Sequence, residues 1–452
     1  MEIALVRVKY NSHIITPPLG LGYLASYAQK FGHKVLIIDA LRDNLSNEQV
    51  VEKINVAGIS AVGITCLSAF YNEVVELSKM LKAEGKKVFI GGIHPTFMPK
   101  QTLIDTGADY VSLGEGEISL KKLLDANFDG TGIQGIYNLE NLPDKPIKGE
   151  KVENLDDLPM PDWGQISPKS YPRAPHGAVT KNYPIGIIMT TRGCPYGCKF
   201  CASPNFYDRK IRFRSPKNVV DEIEYLVKNH GVKEIHFEDD NFTLKRSHAY
   251  EVCKMIVDRK IKITFTCPNG IRADKVDKEL LLMMKKAGCY CFAYGIESAN
   301  PQILKNINKD EDIETIKKSI DIAADCGIDC VGFFIFGLPG ETKQSIEQSI
   351  NFALSSKLTR AQFMIFDVLP GCNLYDDLDG QFESDFSKES YCSPEYVPET
   401  LTKQDLIDAQ ERAFRKFYFR PRIMFRMLRS VTLSQVGFLA KRLLTFGIIK
   451  HR

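Results

Sequence analysis

The sequence predicts an α/β protein with two parallel β-sheets in succession and a helical C-terminal tail. Short apolar runs alternate with amphipathic stretches over residues 1–145, and the alternation resumes over residues 183–375. A stretch rich in Pro, Asp and Asn, residues 146–182, separates the two series and is expected to be a linker. Alternating strands and helices are typical of parallel sheets covered by helices on both faces. Residues 376–452 lack this alternation and form the predicted tail.

The first series predicts a Rossmann-like, doubly wound sheet. We expect its strands at residues 3–8, 34–39, 56–65, 87–91 and 110–113. Ligands of such sheets bind at the carboxyl ends of the strands, where small residues let the backbone approach a large ligand. The loops lack G-x-G-x-x-G, which disfavours a nicotinamide site, and an ordinary sheet with tight turns is the alternative. The candidate binding residues in these loops are Thr16, Pro18, Leu19, Thr65, Ser68, Gly91, Gly92, His94, Pro95, Gly114, Glu115 and Glu117.

The second series predicts an open, six-unit (β/α) barrel, a partial TIM-like barrel. Its strands are expected at residues 185–190, 234–238, 263–266, 291–295, 331–336 and 361–368. The intervening helices are expected to begin near Pro216, Lys245, Lys278, Ile313 and Thr342. Functional residues of such barrels lie at the carboxyl ends of the strands.

Cys194, Cys198 and Cys201 form a C-x3-C-x2-C run that follows the first predicted barrel strand. Three thiolates can hold three corners of a [4Fe–4S] cluster and leave the fourth iron open to another ligand. A structural zinc site needs four closed ligands, and no partner pair with suitable spacing follows. Three buried structural cysteines are the alternative.

The run CPYGCKFC, residues 194–201, resembles the cluster loop of the radical S-adenosylmethionine (SAM) enzymes. The resemblance implies that the open iron chelates SAM and that one electron from the cluster cleaves SAM to a 5′-deoxyadenosyl radical. It also implies an electron donor such as flavodoxin or ferredoxin. The other barrel strand ends resemble the SAM-contacting positions of this family, although salt bridges at the barrel rim are the alternative. These candidates are Phe200, Asp239, Asn269, Arg272, Glu297 and Ser298.

The Gly-Gly-x-His-Pro and Gly-Glu-Gly-Glu loops, residues 91–95 and 114–117, resemble those of the cobalamin-binding domain found in one radical SAM subgroup. That resemblance implies methylation of an unactivated carbon through methylcobalamin, a reaction whose hydrogen abstraction needs no obvious protein nucleophile or acid–base pair. The expectation that the substrate is apolar comes from the C-terminal tail described below. The cobalt-ligating Asp-x-His-x-x-Gly sequence is absent, because neither His13 nor His33 has the flanking residues. We therefore expect no histidine beneath cobalt. The alternatives are a radical SAM cyclase or rearranging enzyme and a non-catalytic iron–sulfur or cobalamin-binding regulatory protein.

Composition and the absence of long apolar runs indicate where in the cell the protein is expected. The chain has 452 residues, a formal net charge of +3 and twelve cysteines. No stretch resembles a signal peptide or reaches the roughly 18 to 20 apolar residues that span a bilayer. Cysteines without a signal peptide favour a reducing, cytoplasmic location, and those outside the cluster run are expected to pack as small core residues.

The tail is strongly basic, with eleven Lys or Arg against one Glu in residues 411–452, interleaved with apolar side chains. A helix packed on the barrel is one interpretation. An interfacial helix on the inner face of the membrane and a cover over a lipid-like substrate are the others. Nucleic-acid binding is not expected, because no recognised nucleic-acid module accompanies the charge.

Overall fold

The computed structural model describes residues 1–12, 14–173, 180–382 and 394–430, with side chains to residue 426. The first sheet has the strand order β2-β1-β3-β4-β5-β6, and only β6 runs antiparallel to its neighbour. The elements of this unit are β1 (Glu2–Arg7), α1 (Leu19–Lys30), β2 (Lys34–Asp39), α2 (Ala40–Asp43), α3 (Asn47–Val56), β3 (Ala61–Thr65), α4 (Tyr71–Ala83), β4 (Lys87–Gly91), α5 (Ile93–Phe97), α6 (Pro99–Thr106), β5 (Tyr110–Ser112), α7 (Glu117–Asp125) and β6 (Ile136–Tyr137).

Helices cover both faces of this sheet, so its strands are apolar on both sides. Successive side chains of a strand point to opposite faces. Leu5 and Phe89 accordingly join one apolar cluster, whereas their neighbours Val6 and Ile90 join another. The doubly wound sheet predicted from the sequence is therefore confirmed.

The third strand starts later than the sequence pattern predicted. Residues 47–56 form α3, which Ser46 caps by accepting a hydrogen bond from the Gln49 amide, and β3 begins only at Ala61. The predicted strand start at Val56 was wrong because an apolar run at a helix C-terminus has no periodicity of its own. Val56 itself is 84% exposed.

The second sheet confirms the open six-unit barrel. Its order is β14-β13-β12-β11-β10-β7, all neighbours are parallel, and β7 and β14 form its two edges. The elements are β7 (Ile185–Ile188), β8 (Thr191–Arg192), α8 (Ser203–Phe206), β9 (Arg212–Phe213), α9 (Pro216–His230), β10 (Glu234–Phe237), α10 (Arg246–Asp258), β11 (Thr264–Ile271), α11 (Lys278–Lys286), β12 (Cys289–Glu297), α12 (Pro301–Asn306), α13 (Ile313–Asp325), β13 (Asp329–Phe336), α14 (Lys343–Ser355), β14 (Arg360–Ile365), α15 (Asn373–Asp377), α16 (Lys403–Tyr418) and α17 (Pro421–Ser430).

Helix α16 covers the open edge of the barrel at β14. The Tyr418 hydroxyl donates to the Ala361 carbonyl at 2.7 Å, and Gln410 donates to the Phe363 carbonyl at 2.8 Å. Lys416 pairs with Glu347 at 2.7 Å on the neighbouring helix α14. The described start of the basic tail therefore packs on the barrel, whereas residues 431–452 lie outside the described residues.

The linker joins the two sheets through a shared apolar core. Trp163 is 2% exposed, and its indole nitrogen donates to Glu222 of α9 at 2.9 Å. Buried side chains of the first sheet, the linker and the barrel belong to one continuous cluster. In the part of the chain that the structure describes, no helix is long and apolar enough to cross a membrane.

Candidate cofactor site between the two sheets

The cysteine run lies in the loop that follows β7, and Asp239 fixes the start of that loop. Asp239 comes just after β10 and is 1% exposed. Its Oδ1 accepts hydrogen bonds of 2.6–3.0 Å from the amide and hydroxyl groups of Thr190 and Thr191. Its Oδ2 has no hydrogen-bond partner among the described residues. Burial raises the pKa of this carboxyl to about 6, and the four hydrogen bonds oppose the shift.

The three cysteines of the run are partly buried and close to one another. Burial raises the pKa of each thiol, and the thiols of Cys194, Cys198 and Cys201 further influence one another electrostatically. Within the described ranges, no three His, Cys, Asp or Glu side chains converge on a position for a single ion. A [4Fe–4S] cluster binds each thiolate to a different iron, so its ligands need not converge in that way. Three neighbouring thiols in one loop fit such a cluster.

Two distant segments hold the tip of this loop. The side-chain amide of Asn308 donates to the Gly197 carbonyl at 2.8 Å, and the Lys199 amide donates to the Ile307 carbonyl at 2.9 Å. The Leu374 amide donates to the Lys199 carbonyl at 3.0 Å. A Cβ added at Gly197 would lie 2.8 Å from the Asn308 side-chain nitrogen, so a larger residue would have to displace that amide.

Glu297 ends β12 beside Cys198. It has φ +61°, a left-handed conformation that is uncommon outside glycine, and it is 6% exposed. Burial raises the pKa of this carboxyl, although Lys309 opposes the shift from 3.3 Å. Both charges influence the Cys198 thiol. A buried carboxylate beside the cluster loop has the chemistry to bind an ammonium group, so these residues fit SAM.

Arg272 contacts the cluster loop through an aromatic ring. Its guanidinium lies 3.7 Å from the ring centroid of Tyr196, between Cys194 and Cys198, and its Nε donates to Asp274 at 2.9 Å. Its Nη2 donates to the Asp310 carbonyl. The structure thus places Arg272 as a support of the loop, and a SAM contact by this residue stays a prediction.

The other barrel candidates, Asn269, Ser298 and Phe200, have partners within the protein. The side-chain amide of Asn269 donates to the Glu238 carbonyl at 2.9 Å. Ser298 is fully buried and accepts a hydrogen bond from the Asn300 amide at the start of α12. Phe200 packs with the apolar cluster around Phe366. Their roles toward SAM stay predictions.

A cavity lies at the carboxyl edge of the first sheet, beside barrel residues that precede and follow the cluster loop. A Cβ at Gly91 would approach only Ser112, at 3.7 Å, and one at Gly20 would meet nothing within 4 Å, so glycines open this space. A Cβ at Gly63 or Gly92 would instead collide with Phe89 or the Cys66 backbone. The open backbone at Gly20 and Gly91 suits the close approach of a large cofactor. The first sheet contributes the candidates Thr65, Gly91, Gly92, Gly114, Glu115 and Glu117, and the barrel contributes Met189, Arg192, Phe206 and Tyr207.

The remaining candidates of the first sheet lie outside this lining. His94 is fully buried, its Nδ1 lies 2.9 Å from the Ser68 hydroxyl, and its ring lies 4.2 Å from that of Tyr71. Burial lowers the pKa of His94 to about 4. These contacts are with Ser68 and Tyr71 of the same domain, and a cofactor contact by His94 stays a prediction. The others outside the lining are Thr16, Pro18, Leu19, Ser68 and Pro95.

Glu115 and Glu117 form ion pairs with the barrel. Arg192 donates to Glu115 at 2.5 Å and to Glu117 at 2.7 Å, and Arg212 also donates to Glu115. Burial raises the pKa of the Glu117 carboxyl, but Arg192 outweighs burial and the net pKa is lowered. Both carboxylates therefore have protein partners, and a direct contact with a cofactor stays a prediction for each.

Two family models match the two sheets. The B12 binding domain matches residues 8–124, and the radical SAM superfamily matches residues 188–353. A methyltransferase of Pyrococcus horikoshii, itself uncharacterized, is 30% identical over 94% of this chain and 92% of its own length. This chain belongs to the cobalamin-dependent radical SAM enzymes. The predicted family and its cofactors, a [4Fe–4S] cluster, SAM and cobalamin, are therefore confirmed.

Further similarities agree with this family. The anaerobic magnesium-protoporphyrin IX monomethyl ester cyclase of Rubrivivax gelatinosus is 30% identical over 89% of this radical SAM chain and 74% of its own length. The radical SAM methyltransferase TsrM of Kitasatospora setae, solved with cobalamin and a [4Fe–4S] cluster, has a similar fold. Its TM-score is 0.70 at 17% identity, and the match covers 96% of this chain and 92% of TsrM.

Sequence reasoning missed several residues of this site. Asn308 bonds to the loop and Lys309 pairs with Glu297 beside it, but both lie in a connection without a recognisable pattern. Tyr196 belongs to the loop itself, and only the fold brings Arg272 onto its ring. Arg192 stands two residues before Cys194, so its position next to the run could have marked it. Arg212 carries no local signal, because only the pairing of β8 with β9 places it opposite Arg192.

Proposed function

We propose that this radical SAM enzyme methylates an unactivated carbon of a small apolar substrate. The cavity described above carries the proposal, because its lining combines the glycine loops of the B12-binding domain with residues that flank the cluster cysteines. When bound, the cluster and SAM supply hydrogen abstraction from the substrate, and cobalamin supplies the methyl group. The chain itself binds and orients these groups and excludes water.

Each group of residues has a distinct part in this proposal. Cys194, Cys198 and Cys201 would hold the cluster, and the carboxylate of Glu297 would accept a hydrogen bond from the SAM ammonium. The rings of Phe206 and Tyr207, whose centroids are 4.9 Å apart, supply apolar surface to the cavity. Aromatic surface excludes water and favours an apolar substrate.

Full-length protein reconstituted anaerobically with iron, sulfide, cobalamin and methyl-labelled SAM would test this function. A native extract supplies the substrate, and mass spectrometry follows the label and 5′-deoxyadenosine. Cys198→Ala should lose most iron and all SAM cleavage, whereas Cys326→Ala, a cysteine at the end of α13, should keep both. SAM cleavage retained in Cys198→Ala would contradict the assignment of the cluster.

Cyclisation without methyl transfer is the second candidate, and the similarity to the Rubrivivax cyclase favours it. The same experiment separates the two, because a cyclase produces 5′-deoxyadenosine while no product carries the label. A non-catalytic regulator would form neither.

Reductive cleavage of SAM requires one electron, so we also propose a flavodoxin or ferredoxin as the electron donor. Lys199 lies in the cluster loop with its side chain 40% exposed, and it pairs with the exposed Asp377 at 2.9 Å. An acidic donor would bind here by taking the place of Asp377 beside this lysine. Purified flavodoxin with its reductase should replace dithionite in the SAM cleavage assay. Cleavage with dithionite but with neither flavodoxin nor ferredoxin would contradict this proposal.

Peripheral membrane contact is proposed for the part of the tail beyond α16. Phe419 and Met424 are 67% and 44% exposed, and Arg422 beside them is exposed. Each basic residue near an anionic bilayer contributes about 1 kcal/mol to the free energy of membrane binding. The full-length protein should float with phosphatidylserine vesicles at low salt, and removal of residues 431–452 should weaken flotation. Because α16 is part of the barrel, truncation must spare it. A full-length protein that never floats would contradict the proposal.

A further inference from the structure

We propose that Arg192 is a positioning residue that locks the 114–117 loop of the B12-binding domain to the cluster loop of the barrel. It acts with Arg212, Glu115 and Glu117, and these four residues are called the interdomain lock below. The proposal rests on the proposed function only in that both loops serve cofactors. The lock itself is a matter of charge and hydrogen bonding within the chain.

A two-stranded hairpin presents the two arginines of the lock. Strands β8 and β9 pair antiparallel, with Arg192 directly opposite Arg212. Directly opposed residues of an antiparallel pair have their side chains on the same face. Two like charges in that position repel each other, so an anion between them stabilises the pairing of β8 with β9.

Glu115 is that anion. Its Oε2 accepts from Arg192 at 2.5 Å, and its Oε1 accepts from Arg212, so one carboxylate bridges both strands of the hairpin. Glu117 accepts from the other terminal nitrogen of Arg192 at 2.7 Å. The four side chains thus balance two positive charges with two negative charges.

The lock is buried, which gives it a large energetic effect. The side chains of all four residues are at most 10% exposed. The guanidinium of Arg192 also lies 5.1 Å from the ring centroid of Tyr23 in α1. Removing one partner of a buried ion pair leaves an uncompensated charge, which is strongly destabilising.

The position of the lock determines what it controls. Arg192 precedes Gly193 and Cys194, and the preceding Thr191 is bonded to Asp239 of the barrel. Glu115 lies between Gly114 and Gly116, and all three line the cavity. A shift of either loop must therefore break the lock or move the other loop with it, so the lock fixes the distance between the two cofactor-binding edges.

Hydrogen–deuterium exchange on the anaerobically isolated full-length protein tests the lock without any assay of activity. Glu115→Gln should accelerate exchange about tenfold or more in both 110–118 and 188–201, because two opposed arginines lose their shared anion. Glu117→Gln should have the same pattern with a smaller effect, because Glu115 still bridges the arginines. Glu150→Gln, in an exposed pair with Lys122, is the matched control and should change neither segment.

A second variant provides the rescue. Arg212→Gln combined with Glu115→Gln removes the surplus cation and should bring exchange in 188–201 partly back toward the unaltered protein. In reconstituted protein, Glu115→Gln should also yield fewer methyl transfers per SAM cleaved. If Glu115→Gln accelerates exchange in residues 2–137 and leaves 188–201 unchanged, its role is confined to the first sheet and the proposal is overturned. If Glu115→Gln does not fold, the same criterion applies to Glu117→Gln.

Discussion

Strand β10 carries a buried carboxylate at each end, and the two differ in how fully the protein satisfies them. Glu234 at its start accepts from the amides of Lys181 and Asn182 and from the hydroxyls of Thr264 and Tyr290. The Nε2 of His236, two residues further along the strand, lies 3.0 Å from Oε1. Both oxygens of this carboxylate therefore have partners.

Asp239, just past the other end of the strand, uses only one oxygen. Oδ1 accepts four hydrogen bonds, whereas the described residues leave Oδ2 without a partner. Burial raises the pKa of both groups, yet hydrogen bonds from His236 and Tyr290 leave the pKa of Glu234 lowered, while that of Asp239 stays raised. The difference fits a barrel whose amino end is built for stability and whose carboxyl end is built for ligands.

The largest effect on stability is expected at the amino end. Glu234→Gln keeps the shape but removes the charge and turns an amide donor toward groups that already donate, so we expect a loss of about 3 kcal/mol in the free energy of unfolding. Urea unfolding measures this loss, and Glu279→Gln, an exposed residue, is the control. Iron content per folded chain should not change. A loss below about 1 kcal/mol would show that the network does not stabilise the barrel.

At the carboxyl end we expect a small effect on stability and a large effect on the affinity for SAM. Asp239→Asn retains an oxygen that can accept from Thr190 and Thr191, so the free energy of unfolding should change by about 1 kcal/mol or less at neutral pH. If Oδ2 binds SAM, the affinity of the reconstituted protein for SAM should fall about tenfold, because one hydrogen bond to a charged group is lost. Equilibrium dialysis measures it. Unchanged affinity would limit Asp239 to supporting the loop.

The two pKa shifts predict opposite dependences on pH. The pKa of Asp239 is higher in the folded state than in the unfolded state. Its contribution to the free energy of unfolding is therefore most favourable at low pH and is lost as pH rises from about 4 to about 6. Relative to Asp239→Asn, the unaltered protein should lose roughly 3 kcal/mol of stability over that window. Glu234, with a lowered pKa, should contribute stability above its unfolded pKa and lose it as pH falls. Parallel pH profiles of the unaltered protein and Asp239→Asn would contradict the shift at Asp239.

Within the amino-end network, removing a single donor should have a smaller effect than removing the charge of Glu234. Thr264→Val keeps the volume and removes the hydroxyl that donates to Glu234 at 2.9 Å, which should cost about 1 kcal/mol. Thermal unfolding of this variant and of the double variant with Glu234→Gln measures the coupling. Full additivity of the two changes would mean that the hydroxyl and the carboxylate act independently.

The sequence predicted those parts of the structure that have a repeating pattern or a characteristic spacing. It did not predict contacts between residues that are far apart in the chain. Strand–helix alternation predicted both sheets, and the spacing of Cys194, Cys198 and Cys201 predicted the family that the comparisons confirm. Strands β8 and β9 have two residues each, which is too short for any periodicity. Arg192 and Glu115 are 77 residues apart, so only the assembled fold brings them together.

The candidate site illustrates the same limit for residue roles. Ser298 directly follows β12 as predicted, and its hydroxyl accepts from the Asn300 amide. Asn269 lies inside β11, which continues to Ile271 beyond its predicted end at residue 266, and its side-chain amide donates to the Glu238 carbonyl. A strand end gives a residue a position on the functional edge of a barrel but does not fix the direction of its side chain. The direction of a side chain depends on its neighbours. For Glu297 that neighbour is Lys309, which no sequence pattern marked.

The central proposal is that one chain holds cobalamin at the carboxyl edge of its first sheet and the iron–sulfur cluster in the neighbouring loop of the barrel. Measuring iron, cobalamin and methyl transfer from labelled SAM in the same anaerobically reconstituted sample tests it most directly. We predict about four irons and one cobalamin per chain, with the label appearing in a product and 5′-deoxyadenosine formed alongside. A fully iron-loaded protein that cleaves SAM but neither retains cobalamin nor transfers the label would contradict the account.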